Sequence, residues 1–165
     1  EGEIPNQSLA FIAGRHLTYF RPGYYVRHLV PTGTGLKGWL FAAIKHCVPQ
    51  FPIAQELQGQ VTEALTYMQR DFQGVQREIL ASLVSKLLQS GGAIDLKKWV
   101  AAIDLTADRA GLVLAHDLAV ARDVIGATDD ASSVPSKERI KEVVLYSVST
   151  PYLELREKLA ITVDS

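Results

Sequence analysis

Four histidines, one cysteine and a pair of aspartates four residues apart mark out the chemistry open to this chain. His16, His28, His46 and His116 include no pair at the i, i+4 spacing that sets two imidazoles on one helix face. Asp104 and Asp108 do have that spacing, so a helix places both carboxylates on one face. Such a pair can work as general acid and base, although carboxylates one turn apart are also commonplace on solvated helices. His16 together with Asp104 and Asp108 would form an imidazole–carboxylate donor set of the kind that suits zinc or iron; the plainer expectation is a hydrogen-bonded histidine beside acids. Cys47 follows His46 directly, and adjacent helix side chains point apart, so it is expected to be a structural thiol. No Gly-x-Ser-x-Gly elbow occurs. Gly33-Thr34-Gly35 lacks the Gly-Lys-Ser/Thr ending of a phosphate loop and is expected to be a turn. Tyr19, Phe20, Tyr24 and Tyr25 lie close together in the chain. They are expected either to line a peptide groove, with Phe20, Tyr24 and Tyr25 as its wall, or to fill interior space.

The elements that must position these residues are helices. Leu9, Ala10, Ile12, Ala13, Leu17 and Phe20 recur at three- and four-residue spacing and predict a helix over 7–20 with one apolar stripe. Asn6 is its expected cap, and Pro22-Gly23 its stop. Residues 24–30 are expected to be a short helix or an extended piece. Leu36 to Cys47 is apolar on nearly all sides and predicts a buried helix, too short to span a bilayer. Residues 53–70 and 73–90 carry amphipathic patterns broken at Asp71–Gly74 and stopped at Gly91-Gly92, which predicts an antiparallel hairpin. Helices follow over 96–114, 118–125, 136–148 and 152–159, with breaks at His116-Asp117, the polar segment 126–133 and Thr150-Pro151. Strand-like alternation is almost absent, and no 34-residue period repeats. The expected architecture is all-α, a single domain of about six to eight helices.

Two stretches carry a family resemblance. Leu9-Ala-Phe-Ile-Ala-Gly-Arg-His-Leu-Thr-Tyr19 resembles the M48-type (gluzincin) metallopeptidase run Leu-Ala-Phe-Val-Leu-Gly-His-Glu-Leu-Ala-His. In that family two histidines hold zinc and the glutamate between them activates a water. Arg15 stands at the first histidine position, His16 at the glutamate position and Tyr19 at the second histidine position. Arginine has no lone pair to donate, and a protonated phenol is a poor zinc ligand. Asp104-Leu-Thr-Ala-Asp108-Arg-Ala-Gly111 is similar to the family's later Glu-x-x-Ala-Asp-x-x-Gly pattern, with Asp104 at the third-ligand position and Asp108 at that of the acid that orients the first histidine. The two stretches cover about a fifth of the chain. The resemblance implies a degenerate site of Arg15, His16, Tyr19, Asp104 and Asp108, with no catalytic residue and no metal or other cofactor, in which Arg15 meets one of the two acids. It implies a pseudoenzyme that serves as a scaffold or as a protein- or peptide-binding module. Because family members have further chain ahead of this helix, the sequence is expected to belong to a longer protein. A metal-dependent hydrolase with a rearranged site and an unrelated helical interaction domain are the alternatives.

Composition narrows the partners. The 165 residues are 47% apolar, enough for a substantial core. Seventeen basic and eighteen acidic residues give a net charge of −1, and Lys97-Lys98 is too small a cluster for a basic patch, so neither nucleic acid nor an anionic membrane surface is an expected partner. No apolar run is long enough for a membrane span. The lone cysteine rules out an internal disulfide and fits an intracellular, cytoplasmic setting.

Overall fold

The computed structural model describes residues 5–91, 94–127 and 132–161. Among them the chain is all-helical, without strands: α1 (Asn6–Thr18), α2 (Tyr25–Leu29), α3 (Gly33–Cys47), a 3-10 turn (Gln55–Leu57), α4 (Gln58–Asp71), α5 (Val75–Gln89), α6 (Leu96–Ala115), α7 (Leu118–Ala127), α8 (Ser136–Ser147) and α9 (Thr150–Lys158). No helix is long and apolar enough to cross a membrane among the described residues. The backbone divides into two compact units, one made of Glu1–Leu29 with Lys98–Ser165, the other of Val30–Lys97.

In the discontinuous unit, α1 and α8 both pack on α7, and α9 packs on α8. Phe11, Leu112, Ala121, Ile125, Val143 and Tyr152 form the centre of its core. Turn chemistry sets the helix ends. His116 takes a left-handed conformation (φ 54°) that ends α6, and Asp117 Oδ1 then accepts from the backbone N–H groups of Ala119 (2.8 Å) and Val120 (3.0 Å) at the start of α7. Ser149 caps α9 through the N–H of Tyr152. At α1 the expected Asn6 cap is replaced: Pro5 is the extended capping residue, makes no side-chain capping bond, and Asn6 already lies within the helix.

The buried face of α1 also differs from the apolar stripe. Phe11, Gly14 and Thr18 are buried, whereas Leu9 is 55%, Leu17 62% and Phe20 71% exposed. The reason is backbone proximity. A Cβ on Gly14 would lie 2.7 Å from the Ala110 carbonyl oxygen of α6, and one on Gly111 would lie 2.8 Å from the backbone oxygen and ring carbons of Phe11. Helices that approach this closely need glycine at the contact, so the close approach at Gly14 and Gly111, with Phe11 beside it, decides the buried face rather than the apolar stripe.

In the continuous unit, α4 and α5 both pack on α3, around Ala42, Leu57, Val61, Ala64 and Met68. Gly33-Thr34-Gly35, expected as a turn, forms the first turn of α3 because the Thr32 hydroxyl accepts from the Gly35 N–H at 3.1 Å. Gly74 (φ 55°) separates α4 from α5, and Gly91 (φ 93°) follows α5; Gly92 lies outside the described residues, as do residues 128–131 of the expected 126–133 loop. The apolar pattern of α5 is mostly solvent-facing: only Val84 is buried, while Val75, Ile79 and Leu83 are exposed.

Candidate functional site

The glycine crossing of α1 and α6 brings Arg15 onto Asp108. Arg15 Nε lies 2.9 Å from Asp108 Oδ1. From α8, Arg139 approaches the same carboxylate side-on, donating from Nε to Oδ2 at 2.7 Å and from Nη2 to Oδ1 at 2.7 Å. This two-pronged geometry matches the planar guanidinium fork to the carboxylate. Asp108 and Arg139 have no solvent exposure at all, and the Arg15 side chain keeps only 11%. Two permanent cations thus share one anion inside the helical unit.

Asp104, one turn earlier on α6, is 1% exposed. Its Oδ2 lies 3.2 Å from Arg27 Nη2 of α2, accepts from the Ser132 hydroxyl at 2.8 Å and from the Ser133 N–H at 3.3 Å. Its Oδ1 is buried and has no hydrogen-bond partner among the described residues. The two acids therefore face inward, not onto a solvated helix surface.

His16 is exposed, with Nδ1 2.9 Å from the Ile12 carbonyl oxygen. Its ring stands edge-on to Tyr19 and His28, at 6.4 and 6.2 Å between centroids, and Tyr19 stacks on His28 at 5.5 Å. Phe20 and Tyr25 meet at 5.8 Å, while Tyr24 lies under the Arg21 guanidinium at 5.1 Å. Phe20 is 71% and Tyr25 46% exposed, whereas Tyr19 and Tyr24 are half-buried. Cys47, partly buried at the end of α3, has its thiol pKa pushed up by burial, with Arg77 pulling the other way, so it is less readily ionised than a free cysteine.

The donor set does not fit a gluzincin zinc. Arg15 and Tyr19 stand where the resemblance calls for imidazoles, both Asp108 oxygens are engaged by guanidinium groups, and no cluster of three or more His, Cys, Asp or Glu residues suited to a metal ion occurs among the described residues. Arg27, Arg139 and Ser132 complete the site, although nothing in the sequence distinguishes them from solvated neighbours: Arg139 stands in Ser-Lys-Glu-Arg-Ile-Lys-Glu, a run in which every charge reads equally well as surface.

Beside the crossing, an open groove of about 530 Å³ runs along α1 and α6. It takes in Gly14, Leu17, Thr18 and Arg21 on one side and Thr106, Arg109, Ala110, Val113 and Leu114 on the other, with Tyr146 and Leu155 beyond them. Burial raises the Tyr146 pKa, against the lowering influence of Arg109, so the phenol stays a neutral part of that wall. The chain matches no protein-family model, no curated protein and no solved structure.

Proposed function

We propose that this chain is a non-catalytic helical module, a pseudo-metallopeptidase in the sense of the resemblance, that acts as a scaffold or binds a protein or peptide partner. The observation that carries the reading is the closure of Asp108. A general base must reach a substrate proton, and a metal-ligating carboxylate must offer a lone pair to the ion. Asp108 has no solvent exposure and spends both oxygens on Arg15 and Arg139. Those contacts build a rigid crossing, which is what a scaffold requires, and they leave the aromatic cluster and the groove as the outward-facing features.

Metal analysis by mass spectrometry, on protein purified without a metal-affinity resin, tests the reading. The expected result is far less than one zinc, iron or manganese per chain and an unchanged melting temperature in EDTA. Near-stoichiometric metal that disappears in Asp104→Ala would overturn it and restore the rearranged hydrolase.

A further inference from the structure

The geometry points to the groove along α1 and α6 as the docking site for an amphipathic helix of a partner protein, one whose apolar face is flanked by a carboxylate. The inference rests on the binding-module reading and names its partner class. The shape of the occupant follows from the walls. One wall uses positions 14, 17, 18 and 21, the other 106, 109, 110, 113 and 114. Both sets follow the three- and four-residue spacing of a single helix face, so the groove is the furrow between two adjacent helices, and a third helix is the element that packs into such a furrow. Leu17 and Leu114, 62% and 43% exposed, supply uncovered apolar surface, and Tyr146 and Leu155 extend it.

The charge of the occupant follows from the lining. Arg21 and Arg109 are its only charged members, and neither is an acid. Arg109 spends Nη2 on Glu142 at 3.1 Å and lies over the Tyr146 ring at 5.4 Å, so its charge is already met. Arg21, exposed at the end of the groove and stacked over Tyr24, has no acid beside it among the described residues and favours a carboxylate from outside. A basic helix would bring like charge against Arg21.

The test is selection of a displayed library of helical peptides against the wild-type chain, with counter-selection against Leu17→Asp. Leu17 is mostly exposed, so that variant is expected to fold; its circular dichroism and melting curve check this. The expected outcome is enrichment of peptides with apolar residues at i, i+3 or i+4, and i+7 and a neighbouring Asp or Glu. Their affinity should fall at least tenfold in Leu17→Asp and in Arg21→Gln, and weaken with added salt. Enriched peptides that bind both variants as well as wild type would overturn the groove while leaving the module reading intact. Enrichment of basic peptides, or of none, would overturn the acidic-helix inference.

Discussion

Asp108 lies without solvent between two guanidiniums, and the cost of disturbing that arrangement differs between the two. Arg139 is the largest fully buried side chain of the molecule and makes both short hydrogen bonds. Removing one partner of a buried ion pair costs about 3–5 kcal/mol, because the other charge is left uncompensated. Arg139→Ala is therefore expected to lose about 4 kcal/mol in denaturant melts, and Arg15→Ala about 3 kcal/mol, the smaller figure reflecting the cation that remains. Arg139→Lys keeps the charge but not the fork, and should still lose about 2 kcal/mol. If Arg139→Lys melted like wild type, the side-on geometry would not matter. Arg15, Asp104 and Asp108 were legible in the sequence because a paired pattern drew attention to them. Arg27 and Arg139 were not, because an arginine that crosses a core and one that lies on a surface helix have the same neighbours in the chain; only the fold puts a carboxylate at the far end.

At the scale of the elements, helix positions followed from periodicity and from Pro, Gly and Asp punctuation, while the inward face of α1 did not. Apolar periodicity favours Leu9, Leu17 and Phe20, all of them exposed. The face that packs sets Phe11 beside small and polar residues, because α6 offers Gly111 to the Phe11 ring, a close backbone approach to Gly14 and a carboxylate to Arg15. Gly14→Ala tests this directly. Its Cβ would meet backbone atoms of α6 at 2.7 Å, and backbone cannot swing aside as a flexible side chain can. A loss of about 3 kcal/mol is expected in thermal or chemical unfolding, the upper end of the usual overpacking cost, and Arg15 should lose its register with Asp108 as the helices are pushed apart. Gly59→Ala in α4 is the control: nothing lies within 4 Å of its Cβ, so helix propensity alone should stabilise the chain by about 0.5–1 kcal/mol. Equal effects at the two glycines would remove the close crossing from the account.

Across the whole molecule the division is between a unit built from one stretch of chain and a unit built from two. The continuous unit gathers its core from α3, α4 and the 3-10 turn between them, near neighbours in sequence. The discontinuous unit must join α1 and α2 to helices that come after all of Val30–Lys97. Its Arg27–Asp104 pair spans 77 positions, against 31 for Arg139–Asp108. Closing long loops is entropically costly and slow relative to local contacts. In pulse-labelled hydrogen exchange during refolding, amides of α3 and α4 should gain protection before those of α1; simultaneous protection would show one cooperative unit. The same topology has a consequence for synthesis on the ribosome, where the chain emerges from its first residues onward. The helix bearing Arg15 leaves the exit tunnel long before the aspartate that neutralises it is translated. During that interval the nascent α1 shows its exposed leucines and its cation to solvent or a chaperone with its permanent partner still unwritten, and its place in the fold is settled only when Asp108 arrives.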